Sequence, residues 1–252
     1  MAVFQTSLLV VVALVLCALV QAKPSARIVG GAYAQVGQFP HQVALYTNRD
    51  FKCGGSIVSS RYILTAASCV IRDNGSEIFS PKELSVRVGS MYRLNGGEKV
   101  TVKNVKVHEN YKNQWSNNIA LLELENELVF SSDVQKIDLF SGEVPTNSKV
   151  ITSGWGQLYY KGTYPEWLKF NTVFKMDSSV CKVLIGFGDE SLMCLGHNYM
   201  EGACDGDTGG PAIYDGKLVG VFNFSKDGCG GTRPDAYTTV SYHLDWINSN
   251  MN

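Results

Sequence analysis

Apolar residues occur in short runs along most of the chain, and turn-forming residues separate one run from the next. Runs rich in Val, Ile, Leu and Tyr predict strands at 42–46, 62–65, 84–88, 100–107, 119–124, 149–153, 170–175 and 217–223. Many short strands of this kind are typical of an all-β sandwich or barrel. The polar segment 131–147 separates two strand-rich halves of similar length, so we predict that two β units meet there.

Helical signals are few. Asp177 and the two serines after it form a cap signal ahead of 180–185, which predicts a short helix. Leu244 and Ile247 stand at helical spacing with Trp246 beside them, so 241–250 predicts a short C-terminal helix.

The first 22 residues differ from the rest of the chain. Positions 7–20 read SLLVVVALVLCALV, with no charge and no proline. A bilayer needs about 20 apolar helical residues, so this run is too short to span one. It fits the apolar region of a secretory signal peptide at 1–22, with Val20 and Ala22 before the cleavage point, although no Lys or Arg precedes it. The alternative is a buried core helix. Later apolar runs have strand length, so we expect a soluble, secreted product with no membrane partner.

Composition and charge exclude several classes of protein. Hydrophobic residues make up 45% of the chain and charged residues 18%, which is typical of an ordered domain rather than a disordered one. The 22 basic and 23 acidic residues nearly cancel, and no run of like charge occurs. We therefore expect no nucleic-acid partner.

Cysteine usage agrees with secretion. Removal of the signal segment removes Cys17 and leaves six cysteines, at positions 53, 69, 181, 194, 204 and 229. An even number in a secreted chain predicts three disulfides, and six cysteines allow 15 pairings that spacing alone does not resolve. Zinc binding is the rival interpretation, but the chain has no C-x-x-C pair with a nearby histidine.

Six motifs in a fixed order carry a resemblance. They are RIVGG at 27–31, CGGS at 53–56, LTAASC at 64–69, NNIALL at 117–122, SGWG at 153–156 and GDTGGP at 206–211. Together they resemble the chymotrypsin-like (trypsin-fold, peptidase family S1) serine proteases, from residue 28 to the end. The resemblance implies an all-β fold of two packed six-stranded antiparallel barrels, about 41–130 and about 148–240, with the cleft between them. It also implies a propeptide at 23–27, a protease domain at 28–252, and the disulfides Cys53–Cys69, Cys181–Cys194 and Cys204–Cys229.

All three positions that match the family's catalytic triad are changed. Ser68 stands where the family has the histidine base, Asn118 where it has the aspartate, and Thr208 where it has the serine nucleophile. Loss of the aspartate charge alone costs about 10⁴ in turnover, and combined triad losses level off near about 10⁶. We therefore predict an inactive homologue, a pseudoprotease that acts by binding protein, for example as a protease cofactor or a decoy. The alternatives are an active endopeptidase with a remodelled site, and a structural or storage protein.

The family's activation elements are present in the sequence. The resemblance implies cleavage after Arg27, and the new ammonium group of Ile28 would then pair with Asp207. Such a pair orders the loop whose backbone N–H groups, at Gly206 and Thr208, form the family's oxyanion hole. One hypothesis is that this cleavage changes the shape of the protein and thereby its binding of a partner. Mere inheritance of these residues with the fold is the other.

The family's primary specificity pocket is also changed. Gly202 aligns with the residue that is aspartate in trypsin-type members, and Asp235 stands where glycine is usual. Asp235 therefore predicts a negative pocket floor, unless it is a solvated loop residue. Asn223, Phe224 and Ser225 replace the usual Ser-Trp-Gly of the substrate-binding strand, and Ser225 is expected to narrow the mouth.

The remaining expectations concern modification and ligands. Asn74 lies in the sequon Asn-Gly-Ser within a polar loop and is a predicted glycosylation site, whereas the sequon at Asn223 lies on a pocket strand. The family's calcium loop would lie near 72–83, where Asp73, Glu77 and Glu83 are too few and too dispersed, so we expect no metal. No cofactor is expected. The protein partner is unidentified, with proteases, inhibitors and peptide ligands as candidates, and the chain is expected to be a monomer.

Overall fold

Strand β5 (Leu84–Val88) illustrates how the barrels form. Its side chains alternate between buried and partly exposed, and Leu84, Val86 and Val88 face the interior. A strand places successive side chains on opposite faces, so such alternation buries one face of the sheet. The computed structural model describes residues 30–72, 75, 77–113, 115–186 and 189–251. The predicted signal peptide, the propeptide with Arg27, Ile28 and the predicted glycosylation site Asn74 lie outside the described residues.

Thirteen strands are present in this part of the chain. In order they are β1 (Ala32–Tyr33), β2 (Gln42–Thr47), β3 (Asp50–Ile57), β4 (Tyr62–Thr65), β5 (Leu84–Val88), β6 (Glu98–Val107), β7 (Ala120–Leu124), β8 (Lys149–Gly154), β9 (Lys169–Lys175), β10 (Leu192–Gly196), β11 (Pro211–Tyr214), β12 (Lys217–Ser225) and β13 (Asp235–Thr239).

These strands form two barrels. The first is closed in the order β2-β3-β4-β7-β6-β5, and its pairs are antiparallel. The second follows the order β9-β10-β13-β12-β11-β8 and closes through the antiparallel pair β8–β9. Strand β1 adds to the outside of β9, with Ala32 opposite Phe170. The predicted fold class, all-β with two six-stranded antiparallel barrels, is confirmed.

The barrels approach closely where glycine replaces a side chain. A Cβ atom on Gly54 of β3 would lie 2.9 Å from the Cα of Gly210, just before β11. The contact leaves no room for a side chain at this position of β3. The two central glycines of β3 also break the apolar pattern, so this strand was not predicted from the sequence. Segment 131–147 carries no named strand and touches the second barrel through the bridge of Leu139 to Leu218.

Two short α-helices occur in the described residues, α1 (Ser178–Ile185) and α2 (Leu244–Ser249). The Asp177 side chain accepts hydrogen bonds from the backbone N–H groups of Ser179 and Val180, as the cap signal predicts. A 3₁₀ turn, Ser241–His243, leads directly into α2. Neither helix is long and apolar enough to cross a bilayer, and this finding concerns only the described residues.

Three disulfide bonds cross-link the described part of the chain: Cys53–Cys69, Cys181–Cys194 and Cys204–Cys229. These are the pairs that the family resemblance implies, and they are confirmed. The first joins β3 to the turn after β4, and the third joins the loop before Asp207 to the loop after β12. Two of the three disulfides therefore brace segments that carry candidate site residues.

Candidate functional site

Ser68 lies on the 3₁₀ turn Ala67–Cys69, directly after β4. The turn is anchored by the disulfide of Cys69 to Cys53. The backbone N–H of Ser68 donates a hydrogen bond to Oδ1 of Asn118, at 2.9 Å. The fold thus brings together two of the three predicted triad positions, which are 50 residues apart in the chain.

The side chain of Asn118 is fully buried, and its amide is fully used. Its Nδ2 group donates to the Ser68 hydroxyl at 3.1 Å and to Oδ1 of Asn223 at 2.6 Å. Because the Ser68 N–H must face an oxygen, these bonds fix which way the amide points. The backbone carbonyl of Asn118 accepts from the Thr238 hydroxyl at 3.0 Å. The group is a neutral, closed hydrogen-bond network.

This network contains no group that accepts a proton near neutral pH. A serine hydroxyl and two carboxamides have no titration in that range, whereas a general base needs a pKa near the working pH. The amide nitrogen of Asn118 also donates to Ser68, whereas an aspartate at that position would accept a hydrogen bond from its neighbour. Ser68 and Asn118 therefore offer no general base near neutral pH.

Thr208 lies beside these residues. Its carbonyl oxygen accepts from the N–H of Gly54 at 2.8 Å and lies 3.5 Å from the Cys69 sulfur. No hydrogen bond within the described part of the chain reaches its side-chain hydroxyl. Without a proton acceptor in reach, a threonine hydroxyl is a weak nucleophile.

The four histidines are occupied elsewhere. His41 contacts Phe39, and His108 contacts His243 and the ring of Trp246. Burial lowers the pKa of His41 to about 4, and burial is also the main cause that lowers the pKa values of His108 and His243. None of the four forms a hydrogen bond with Thr208 or Ser68 among the residues whose structure is described.

The loop before Thr208 contains a tight turn. The N–H of Asp207 donates to the carbonyl of Cys204 at 2.9 Å, and Gly206 has φ +96°, which is a type II turn with glycine at its third position. Within the described chain, the N–H groups of Gly206 and Thr208 form no hydrogen bond. The rings of Tyr164 and Phe51 lie against Gly206, at 2.7 and 3.0 Å from an added Cβ.

Asp207 is buried, with 4% exposure, between the two barrels. Its carboxylate accepts from the N–H of Gly156 at 2.7 Å and from that of Cys204 at 3.0 Å. A Cβ on Gly154 or Gly156 would lie about 2 Å from this carboxylate, at 2.0 and 2.2 Å, so the SGWG motif leaves room for it. Burial raises the pKa of Asp207 to about 7. The predicted cation for this group, the Ile28 ammonium, lies outside the described residues.

Asp235 is buried at the start of β13, so it is not a solvated loop residue. One carboxylate oxygen accepts from the N–H of Ala203 at 2.7 Å, and the other accepts from the hydroxyl of Ser225. The imidazole of His197 lies 3.6 Å from Asp235, and both side chains are 2% exposed. Gly202, the predicted specificity residue, lies directly against both groups.

Phe224 forms a cross-barrel contact. Its ring packs edge-on against Trp115 at 4.3 Å between centroids, and Trp115 lies in the loop that leads to Asn118. Asn223, the residue before it, faces the opposite way into the Asn118 network. The predicted substrate-binding strand therefore contacts the first barrel through both residues.

The predicted calcium loop holds its own cation. Arg72 bonds both oxygens of Glu83, at 2.9 and 2.7 Å, and lies 3.6 Å from Glu77. In the described residues, no cluster of three metal-ligating side chains occurs.

A cavity of about 670 Å³ is present on the second barrel between β9, α1 and β10, and none of the predicted triad, oxyanion, activation or pocket residues lines it.

Sequence reasoning missed three contributors to the site. His197, Trp115 and Tyr164 belong to no motif, and each reaches the site through contacts that only the folded chain creates. The only signal in the sequence was that these histidine and aromatic residues lie outside the predicted strands. Loops of proteins with many different functions carry such residues, so this signal does not point to the site.

Comparisons with known proteins agree with the fold. The trypsin family model matches residues 28–247. The chain is 41% identical over 226 residues to "Serine protease SP24D" of Anopheles gambiae, across 90% of this chain and 82% of that protein. It is 39% identical over 234 residues to "Trypsin Tyr p 3.0101" of Tyrophagus putrescentiae, across 87% and 79% of the two chains. Mouse neuropsin, a serine protease of the limbic system, matches with a TM-score of 0.80 and 28% identity, across 88% and 99%. The chain belongs to the trypsin family of chymotrypsin-like serine protease domains.

Proposed function

We propose that this trypsin-family chain is a secreted, catalytically inactive homologue that acts by binding another protein. The observation that carries the proposal is the closed amide network of Ser68, Asn118 and Asn223, which offers Thr208 no proton acceptor. Its relatives are named serine protease and trypsin, so activity in the family is not in question. Function belongs to the site rather than to the fold, and this site lacks a base.

The loss of catalysis follows from the proton balance. Attack on a peptide carbonyl requires the nucleophile's proton to leave as the bond forms, and the leaving amine requires a proton in return. Neither Ser68 nor Asn118 has a titration near neutral pH that would allow this exchange. What remains is at most the roughly 10³–10⁴ over water that binding and backbone N–H groups supply.

Several features support secretion and a binding role. Three disulfides persist only in an oxidising compartment such as the extracellular space. The surface around the cleft carries exposed Tyr159, Tyr160, Tyr164 and Trp167 on one loop and neighbouring strand end. Tyr and Trp are enriched at the centres of protein interfaces. A cofactor of an active protease and a recognition protein are the two roles that these loops fit best.

The test distinguishes a site that lacks catalytic groups from a site that lacks only a pocket for a substrate side chain. The chain beginning at Ile28 is assayed with p-nitrophenyl acetate, whose acetyl group needs no side-chain pocket, and with a fluorophosphonate label for activated hydroxyls. The native chain is expected to show no burst of nitrophenol and no labelling, and to be indistinguishable from Thr208→Ala. A burst or labelling that Thr208→Ala removes would contradict the proposal.

A restored variant supplies the positive control. Ser68→His, Asn118→Asp and Thr208→Ser recreate the family's triad. Asn223→Ser is added because the oxygen of Asn223, 2.6 Å from the Asn118 amide nitrogen, would otherwise face a new carboxylate. The four-substitution variant is expected to show an acylation burst at least 100-fold above the native background, and the three-substitution variant a smaller one.

A further inference from the structure

The space beside Gly202 is filled from inside the protein. A Cβ atom placed on Gly202 would lie 2.7 Å from Oδ2 of Asp235 and 2.8 Å from Cδ2 and Nε2 of His197. Gly202 also has φ +111°, a conformation that favours glycine. The aligned position is where the family resemblance places the residue that meets a substrate side chain. Here two side chains of the same molecule occupy that place.

His197 is held firmly in this position. Its Nδ1 atom lies 2.9 Å from the carbonyl oxygen of Asn198, so that nitrogen donates its proton there. Its Nε2 atom lies 3.6 Å from Oδ1 of Asp235, within ion-pair distance. Burial lowers the pKa of His197, but Asp235, the Asn198 carbonyl and Glu201 outweigh it, and the net pKa is raised. The imidazole thus lies buried next to a buried carboxylate that favours its protonated form.

Groups of the protein itself already surround the carboxylate of Asp235. One oxygen accepts from the Ala203 N–H, the other accepts from the Ser225 hydroxyl, and the imidazole of His197 faces the same oxygen as Ser225. The side chains of Asp235 and His197 are both 2% exposed. The carboxyl group that the sequence analysis assigns to the pocket floor is thus already contacted from within the protein.

We propose that His197 is an internal plug of the primary pocket, and that its removal uncovers a binding site for a small planar cation against Asp235. This inference rests on the pocket assignment used in the proposed function. The plug places a planar nitrogen-containing ring beside the carboxylate, which is the group that an incoming planar cation would contact.

The proposal narrows the way in which a partner binds. A protein that inserts a side chain into the primary pocket of a protease finds this pocket occupied. A decoy role toward inhibitors that bind by such insertion is therefore excluded, and recognition falls to the loops and surfaces outside the pocket.

The experiment measures whether removal of the His197 imidazole creates a binding site that has the size of an imidazole ring. His197→Gly is titrated with 4-methylimidazole, which replaces the lost side chain, and with methylguanidinium, a planar cation of similar size. Thermal shift and NMR titration are the readouts. Both probes are expected to bind the variant at least tenfold more tightly than the native protein and to raise its melting temperature. Asp235→Asn in the same background is expected to reduce methylguanidinium affinity at least tenfold.

Two further variants keep the proposal falsifiable. His197→Gln retains a side chain of similar size and is expected to bind neither probe, and His197→Ser replaces His197→Gly if the glycine variant does not fold. Equal probe binding by the native protein and the vacated variant would show an unplugged pocket and overturn the proposal. Absence of binding to a folded vacated variant would overturn it as well. Esterase activity tests the proposed function separately. A protein that is inactive but has an open primary pocket would contradict the plug and would leave the proposed inactivity intact.

Discussion

The buried carboxyl group of Asp207 makes the stability of the uncleaved chain depend on pH. Burial is the largest cause that raises its pKa from 3.8 to about 7, against the hydrogen bonds from Cys204 and Gly156 that lower it. Asp207→Asn removes this titration and keeps the shape of the protonated acid. The variant therefore isolates the cost of the buried charge.

The sign follows from proton binding in the two states. Between pH 3.8 and about 7 the folded chain holds a proton on Asp207 that the unfolded chain has lost, so stability falls as pH rises through this window. Below the window both states are neutral, and above it the loss is constant. A shift of about 3 pKa units at about 1.4 kcal/mol each gives a loss of roughly 4 kcal/mol.

The assay is urea unfolding of the native chain and Asp207→Asn from pH 3.5 to 8. The difference in unfolding free energy is expected to grow by roughly 4 kcal/mol in favour of the variant, and to level off near pH 7. Asp205→Asn is the matched control, because Asp205 is an exposed neighbour and its substitution leaves the profile unchanged. A difference that stays flat across this range would refute the reasoning.

Cleavage after Arg27 gives the same residue a second test. If the freed Ile28 ammonium pairs with Asp207, the chain beginning at Ile28 gains stability at pH 8 over the uncleaved chain, because the buried charge then has a counter-ion. Asp207→Asn is expected to abolish this gain. An equal gain in the variant would show that cleavage acts without this pair.

Other substitutions test the packing and the chemistry of the site. Asn118→Ala is expected to cost about 3 kcal/mol in urea unfolding, because buried groups of Ser68 and Asn223 lose their hydrogen bonds. Gly156→Ala is expected to cost a similar amount, since its Cβ would lie 2.2 Å from a buried carboxylate, whereas Gly216→Ala, with no atom within 4 Å, costs about 1 kcal/mol through its positive φ. Thr208→Ser alone is expected to leave ester hydrolysis at background, because the new hydroxyl still lacks a base.

The sequence predicted strands well where the apolar pattern was continuous. Strands β4 and β5 match the predicted bounds, and β6 begins two residues earlier than predicted, at Glu98. Three of the five missed strands carry residues that weaken the signal: β3 holds paired glycines, β11 begins at Pro211 and β13 begins at Asp235. In each case a contact between distant segments, rather than local propensity, sets the strand.

The candidate site was predictable only as far as motifs extend. Motif order brought Ser68, Asn118 and Thr208 into one site, and the structure places the first two in hydrogen-bond contact. The state of Asp235 depended on His197, a loop residue 38 positions earlier that no spacing rule connects to it. Such partners arise from tertiary packing, so a single sequence cannot reveal whether a buried charge faces a ligand or another part of the chain.

The changes at the triad positions form one physical unit rather than separate losses. Asn118 donates to the oxygen of Asn223, and a carboxylate at position 118 would remove this donor. Ser68 is short enough to leave its hydroxyl within reach of the same amide. Asn118→Asp alone would therefore bury a carboxylate that the Asn223 amide must turn to meet, and it would not restore a base. Under the proposed inactivity, we therefore expect catalysis to be recovered only when the substitutions are made together.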